Sequence, residues 1–257
     1  MLKTLIGTTK TVRYTLESWL FQLSKQSQHL ETLRDRYKGK PMLIVGNGPS
    51  LNKTPLERFK NVASIGMNKI DLLFGRTSWR PDMMLCNNNM VVIQHRDQFA
   101  LSTIPIYLAW KSRWFIRRNS QSIHYFNALQ TEAFQTDIPH RVGSGATVTY
   151  TALQFAYFMG ADPVIIVGVD HNFDRSGDVN AYERSKGDDV NHFDPNYFGG
   201  GTLWGLPNLD ASERVYAMSR QMFEADGRKI YDATIDGKLQ IFEKISIEHA
   251  IKLTRSK

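Results

Sequence analysis

The sequence has a single cysteine, Cys86, and no apolar stretch long enough to cross a membrane. One cysteine cannot close an intramolecular disulfide, which excludes a disulfide-stapled secreted scaffold and favours a reducing compartment. The longest apolar run, around Val164 to Val169, is far shorter than the roughly 18 residues that a membrane span needs. Polar residues between Thr4 and Arg13 interrupt the apolar core that a signal peptide would have. We therefore expect a cytoplasmic protein without a cleaved targeting segment.

The positive charge is concentrated in the first 40 residues. They contain eight of the 32 Lys and Arg residues but only three of the 25 Asp and Glu residues, and so hold most of the net charge of +7. Five apolar side chains recur there at helical spacing and predict a basic amphipathic helix within residues 1–39: Val12, Leu16, Trp19, Leu20 and Leu23. This helix could adhere to the inner face of a membrane as a peripheral contact, or pack on the domain or on a second subunit of a homo-oligomer. The sequence has no nucleic-acid-binding motif, and we predict no nucleic-acid partner.

From residue 40 onward, short apolar runs alternate with helical patterns. This alternation is typical of a parallel sheet covered by helices on both faces. The predicted strands are 42–45, 62–66, 82–85, 104–108, 122–126, 164–169 and 229–231, and the predicted helices are 146–159, 211–225 and 242–253. The expected fold is a single doubly wound, Rossmann-like α/β domain over residues 40–257.

A glycine turn follows the first predicted strand. Gly46, Asn47, Gly48, Pro49 and Ser50 come directly after an apolar run, and a strand followed by such a turn is a typical phosphate-binding context. The next residue, Leu51, stands where a dinucleotide fingerprint needs glycine, and no Gly-Lys-Ser/Thr sequence follows. NAD and a Walker-type ATPase are therefore disfavoured. The residues Thr54, Pro55 and Glu57 predict a capped helix after the turn. Alternatively, the turn is only a tight connection that needs glycine.

A second glycine turn carries Arg141, Ser144 and Gly145 and precedes a strongly apolar helix. Amides at a helix start, a hydroxyl and a guanidinium together suit an anion. Two such turns in one α/β domain predict a nucleotide whose phosphate lies between them.

Polar residues also follow the other predicted strands. Asn68, Asn87 and Asp170 each come after a strand, where ligands bind in doubly wound sheets. Carboxamides suit sugar hydroxyls and base edges, although asparagine is also common in turns.

No regular element is predicted between residues 171 and 207, and a loop of that length is often functional. Its aromatic residues and the triple glycine Gly199 to Gly201 predict a hinged lid. His192 in this segment is the best candidate for a general base, because an imidazole titrates near neutral pH. An ordinary loop histidine is the alternative.

In this order, the glycine turn, Asn68, Asn87, the second turn, Asp170 and His192 resemble the bacterial CMP-sialic-acid-dependent sialyltransferases of glycosyltransferase family 42. The chain is also similar to the flagellin-glycosylating motility accessory factors and to the archaeal 6-hydroxymethylpterin diphosphokinases. The resemblance covers roughly residues 40 to 235.

The resemblance implies a role for each matching residue. Asn47, Gly48 and Ser50 would cradle the phosphate and sugar, while Asn68 and Asn87 would contact the phosphate and the donor. Arg141, Ser144 and Gly145 would frame cytidine and its ribose. Asp170 would close that pocket, and His192 would be the catalytic base.

The family places a phosphate-stabilising tyrosine two residues after the aspartate, and this position is Asn172 here. Tyr182 and Tyr197 are the candidates to replace it.

The resulting functional prediction is an inverting, metal-independent glycosyltransferase without a cofactor, which moves an acidic sugar from a CMP-sugar to a glycan or lipid-linked acceptor. A cationic aromatic cluster suits such a membrane-proximal acceptor: Trp110, Lys111, Arg113, Trp114, Arg117 and Arg118. Two alternatives remain. One is a diphosphokinase whose Mg²⁺ is held by Asp170, Asp174 or Asp194, and the other is a non-catalytic nucleotide-binding scaffold.

Overall fold

The computed structural model describes residues 15–116, 120–173, 178 and 181–255. The helices among them are α1 (15–22), α2 (Lys25–Glu31), α3 (Asn89–Leu101), α4 (Val148–Phe158), α5 (Leu209–Ala225) and α6 (Ile247–Arg255). The strands are β1 (Met42–Val45), β2 (Ala63–Met67), β3 (Met83–Cys86), β4 (Ile106–Ala109), β5 (Ile123–Phe126), β6 (Ala128–Leu129), β7 (Val142–Gly143), β8 (Val164–Val167), β9 (Tyr182–Arg184), β10 (Leu203–Gly205), β11 (Ile230–Asp232) and β12 (Glu243–Lys244).

Eight of these strands form one parallel sheet in the order β12-β11-β8-β1-β2-β3-β4-β5. The chain first builds outward from β1 to β5 and then returns to place β8 on the other side of β1. This reversal of direction is a topological switch point, where doubly wound sheets bind ligands.

Helices cover both faces of the sheet, as the sequence predicts. Met42 and Ile44 of β1 pack in the core that contains α4, whereas Leu43 and Val45 pack in the core that contains α3 and α6. A strand that is buried on both sides must be apolar at every position, which explains why β1, β3, β4 and β8 are continuous apolar runs.

The structure corrects several predicted elements. Two short 3-10 helices, Pro49–Lys53 and Leu56–Phe59, replace the capped helix predicted after Thr54. Thr54 has extended backbone angles, because the ring of the following proline disfavours the helical conformation, and its hydroxyl donates to the Ser50 carbonyl at 3.0 Å. The last helix begins at Ile247, since residues 243–244 instead join the edge of the sheet as β12.

Helix α3 is an element that the sequence pattern did not predict. The side chain of Asn88 accepts a hydrogen bond from the Met90 amide at 2.9 Å and caps this helix. The three consecutive asparagines after β3 are therefore in part a helix start.

The N-terminal helices pack against the domain. Phe21, Leu30 and Leu33 are fully buried in the same core as α4, and α2 lies beside the edge strand β5. Val12 lies outside the described residues. No described helix has the length and hydropathy of a membrane span.

A stacked pair of histidines joins α2 to β5. The rings of His29 and His124 lie 3.8 Å apart and are nearly parallel, with an angle of 10° between them. Burial, with a smaller contribution from the charge of His29, lowers the pKa of His124 from 6.5 to about 4. The folded protein therefore binds a proton at His124 less readily than the unfolded chain does.

We predict that this pair makes folding weaker in mild acid. Between pH 6.5 and about 4, His124 is protonated in the unfolded chain and neutral in the folded protein, so stability present above pH 6.5 is lost as the pH falls. Replacing His124→Phe keeps a ring but removes this titration. The unfolding free energy that is lost between the two pH values should then be smaller by about 1 kcal/mol, a figure that allows for solvent screening. Urea denaturation at both ends of this range measures the effect, with His249→Phe on the surface of α6 as the control. Equal losses in the wild type and His124→Phe would contradict the prediction.

Candidate functional site

The candidate site lies at the carboxyl ends of the central strands, at the switch point. Two cavities meet there, a first cavity of about 150 Å³ and a second cavity of about 480 Å³. The first is lined by Asn47, Asn68 and Asp170, and the second by Asn68 and Asn87. The structure therefore brings together the polar residues that follow β1, β2, β3 and β8.

A network of hydrogen bonds fastens the first glycine turn to the end of β8. The Gly46 amide donates to the Val167 carbonyl and the Gly48 amide to the Gly168 carbonyl, each at 2.8 Å. The Ser50 amide and hydroxyl donate to the two oxygens of the Asp170 carboxylate, at 3.0 and 2.7 Å. Burial raises the pKa of the Asp170 carboxyl above its ordinary value, although the hydrogen bonds from Ser50 act in the opposite direction.

This network changes the predicted role of the turn. The amides of Gly48 and Ser50 are already bound to β8 and its exit, so they are not free to cradle a phosphate as the resemblance implies. Pro49 has no amide hydrogen and begins the 3-10 helix. Glycine is required at position 48 because a Cβ there would lie 1.8 Å from the Asp170 Oδ2 atom.

Asn47 and Asn68 line the first cavity and each has one unpaired polar atom. Their side-chain Oδ1 atoms are buried and accept no hydrogen bond from the described residues. Asn68 also has a positive φ of 50°, a left-handed conformation that asparagine adopts more readily than most residues. An unpaired buried carbonyl costs free energy.

The second glycine turn is also fastened internally. The Gly143 amide donates to Gln154 Oε1 at 2.8 Å, and both the amide and the hydroxyl of Ser144 donate to the Leu129 carbonyl at 2.8 Å. Ser144 and Gly145 line the second cavity, but Arg141 is exposed and lines neither cavity. Residues 146–148, which lead into α4, line both cavities.

His192 lies between the two cavities and lines both. Its Nδ1 atom is 2.8 Å from Asp189 Oδ2, and its ring stacks on Tyr197 at 4.0 Å. Burial raises the pKa of the Asp189 carboxyl, but the hydrogen bond and charge of His192, with two backbone amides, outweigh burial and hold that pKa below its ordinary value. A carboxylate on Nδ1 leaves Nε2 as the nitrogen that can accept a proton.

Asp189 is a candidate site residue that the sequence analysis missed. It lies three residues before His192 in a segment without a repeating pattern. Its only signal in the sequence is that spacing, because an acidic residue near a candidate base could orient it.

The segment that carries His192 is anchored to the core. The Phe193 amide donates to the Asn47 carbonyl at 2.9 Å, and Lys69 Nζ donates to the Tyr197 carbonyl at 2.7 Å. The sequence predicts no regular element and a hinged lid over 171–207, whereas the structure has β9 paired with β10 and a wall held by these bonds.

The two candidates to replace the tyrosine implied by the resemblance, Tyr182 and Tyr197, lie in different places from each other and from Asn172. Tyr197 is buried, and burial raises the pKa of its hydroxyl, so it is better suited to supporting the His192 ring than to protonating a ligand. Tyr182 is exposed at the second cavity, and Asn172 is exposed at the first.

Few charged side chains line the cavities. Among the described lining residues of both there is no Lys or Arg, and the only carboxylate is Asp170. In the described part of the chain, no three His, Cys, Asp or Glu side chains form a cluster that could hold a metal ion. For the alternative with Mg²⁺, Asp194 pairs with Arg76 at 3.2 Å, and Asp174 lies outside the described residues.

The comparisons with known proteins support the fold. No protein-family model and no curated protein sequence matches the chain. Among solved structures, the chain is similar to the MAf glycosyltransferase from Magnetospirillum magneticum AMB-1, with a TM-score of 0.51 and 15% sequence identity. The match covers 92% of this chain and 41% of the neighbour, so this chain spans about two fifths of the neighbour's length. The predicted Rossmann-like α/β fold is confirmed, and the finer resemblance to family 42 stays a prediction.

We predict that Gly48→Ala destabilises the protein. The added Cβ would clash with Asp170 Oδ2 and disrupt the bonds between Asp170 and Ser50, which should cost about 1 to 3 kcal/mol of unfolding free energy. Urea denaturation measures the change. Gly200→Ala is the matched control, because a Cβ there meets no atom within 4 Å. Equal unfolding midpoints for the two variants would show that the turn is not held in this way.

Proposed function

We propose that this chain is an inverting glycosyltransferase that moves a sugar from a nucleotide donor to an acceptor hydroxyl. The observation that carries the proposal is the Asp189–His192 pair, whose histidine lines both cavities. A donor in one cavity and an acceptor in the other would meet at this imidazole. The fold shared with a solved glycosyltransferase is consistent with this chemistry, although fold alone does not determine function.

In the proposed reaction, His192 Nε2 takes the proton from the acceptor hydroxyl. The acceptor oxygen forms a bond to the anomeric carbon of the sugar from the face opposite the nucleotide. The bond from that carbon to the phosphate oxygen breaks, and its electron pair leaves with the nucleotide. Asp189 stabilises the imidazolium that forms and fixes the tautomer of the ring.

We propose the first cavity as the donor site and CMP as the leaving nucleotide. The start of α4 lies in the wall of this cavity and contributes positive electrostatic potential. The described lining residues include no Lys or Arg. A nucleoside monophosphate carries less negative charge than a diphosphate and so needs less positive charge from the protein to balance it. This supports a CMP-sugar over a diphosphate donor, and an acidic sugar remains the proposed cargo from the sequence resemblance.

We predict that His192→Gln lowers the rate of sugar transfer by about 100-fold or more, since general-base catalysis is worth roughly that factor. Asp189→Asn should lower kcat less, by at least about tenfold, because it retains a partner for Nδ1 but loses the charge that stabilises the imidazolium. Both variants should still bind CMP. Transfer from CMP-sugars to glycan acceptors, with CMP affinity by calorimetry, checks this.

A chelator and a panel of nucleotides distinguish the competing functions. Wild-type turnover of a CMP-sugar in EDTA is expected under the proposal, whereas binding and turnover only of ATP with Mg²⁺ would indicate the diphosphokinase. Tight nucleotide binding with no turnover of any donor would indicate the non-catalytic scaffold. Full activity of His192→Gln would remove His192 as the base.

We further propose that α1 makes a peripheral contact with an anionic lipid surface. Glu17 faces the domain, where its Oε2 accepts from Trp110 Nε1 at 3.0 Å and from Arg113 at 2.7 Å. The apolar side chains on the other side, by contrast, are exposed: Leu16, Trp19, Leu20 and Leu23. The excess of basic residues in positions 1–40 matches an anionic membrane. Arg117 and Arg118 of the cationic cluster lie outside the described residues.

We predict that the triple variant Leu16→Ser, Trp19→Ser, Leu23→Ser loses vesicle binding but keeps its fold. Deleting residues 1–37 is a poorer test, because Phe21, Leu30 and Leu33 are part of the core. Sedimentation with phosphatidylcholine vesicles containing phosphatidylserine should pull down the wild type and Leu101→Ser, which changes an exposed leucine on α3. A wild type that ignores vesicles but forms a dimer, which the triple variant abolishes, would assign this face to a second subunit instead.

A further inference from the structure

His171 forms a second histidine–carboxylate pair in the cleft. It follows Asp170 directly and lines the first cavity. Its Nε2 atom lies 2.9 Å from Glu213 Oε1 of α5, and only 7% of its side chain is exposed. Its φ of 52° is in the left-handed region, an uncommon conformation for a residue other than glycine that often marks a functional site.

The charge of the cleft makes this residue important. Among the described residues that line the two cavities, His171 and His192 are the only side chains able to carry a positive charge. His192 must be neutral to act as a base. A phosphate in the first cavity therefore has one side chain among these residues that can supply a compensating charge, His171.

The hydrogen bonding of the ring suits this role. Glu213 occupies Nε2, while Nδ1 makes no hydrogen bond to the described residues. A nearby carboxylate stabilises an imidazolium, and a protonated ring donates from both nitrogens. Nδ1 is then available to donate to an anionic ligand.

We propose that His171, held by Glu213, is the residue that binds the phosphate of the donor and stabilises it as it leaves. This inference rests on the proposed function. It gives His171 the phosphate-stabilising role that the resemblance to family 42 assigns to a tyrosine, whose position is Asn172 in this chain. As the bond between the anomeric carbon and the phosphate oxygen breaks, the electron pair moves onto that oxygen and the phosphate gains negative charge. The His171 proton stays on the ring, and its hydrogen bond to the phosphate becomes stronger.

The ionisable neighbours of His171 are two carboxylates, a phenol and one other histidine. Glu213 and Tyr216 of α5 face His171, Asp170 precedes it in the chain, and His192 lines the same cavity. Removing the His171 ring should therefore weaken recognition of the phosphate.

The test compares CMP with cytidine, which differ only in the phosphate. Calorimetry gives the affinity ratio of CMP to cytidine for each protein. His171→Asn is the main variant, because asparagine tolerates the left-handed conformation. We expect it to reduce this ratio by about 10- to 100-fold, with cytidine affinity unchanged. Glu213→Gln should reduce the ratio less, because it removes the carboxylate that stabilises the imidazolium but keeps the His171 ring.

His140→Asn is the matched control, because His140 also pairs with a carboxylate, Asp137 at 2.7 Å, but lies outside the cleft. Melting temperatures exclude unfolding as the cause of a loss. If the wild type prefers CMP to cytidine and His171→Asn keeps that preference, the inference is overturned while the proposed function stands. If the wild type does not discriminate CMP from cytidine, the donor assignment fails and this inference fails with it. Loss of sugar transfer in His192→Gln with unchanged CMP affinity separates the two histidines.

Discussion

The half-buried carboxylate of Asp170 is the constraint on which the rest of the cleft depends. Taking a carboxylate out of water is costly unless its oxygens are hydrogen-bonded, and Ser50 satisfies both of them. These bonds draw the turn after β1 against the exit of β8, so closely that a side chain at position 48 cannot fit. The wall of the first cavity is thus fixed by the Asp170 carboxylate and by the amide and hydroxyl of Ser50 that donate to it. His171 takes its position directly from this wall, because it is the next residue.

His192, the proposed base, is held by a different kind of interaction. Lys69 is buried, and burial lowers its pKa. Its Nζ atom lies 4.7 Å from the centre of the Phe198 ring and donates to the Tyr197 carbonyl. Tyr197 in turn stacks under His192. The imidazole therefore rests on a packed aromatic layer, which fixes its orientation more firmly than a flexible lid would.

The fold could be predicted because its information is local. The strands β1, β3, β4 and β8 are runs of apolar residues, and the glycines of the first turn stand where two strands approach closely. Helix α3 was missed because Asn87, Asn88 and Asn89 favour both turns and ligand contacts, and their capping role depends on whether the next residues form a helix. The helix predicted after Thr54 was wrong because the Thr54 hydroxyl is directed back to the Ser50 carbonyl and does not cap the following residues.

The site was harder to predict, since its bonds join residues distant in sequence. The pairs Ser50–Asp170 and His171–Glu213 are separated by 120 and 42 positions, so no spacing reveals them. The sequence could identify His192 as a candidate, but the partner that makes it a plausible base, Asp189, becomes evident only when the segment folds.

One backbone contact links the two halves of the cleft. The carbonyl of Asn47 in the first glycine turn accepts from the amide of Phe193, the residue after His192. Under the proposed function, a donor that contacts Asn47 would thereby also act on the backbone that carries His192. Filling the first cavity and positioning the imidazole would then be coupled, and this coupling favours a compulsory order of binding in which the proposed nucleotide sugar enters before the acceptor.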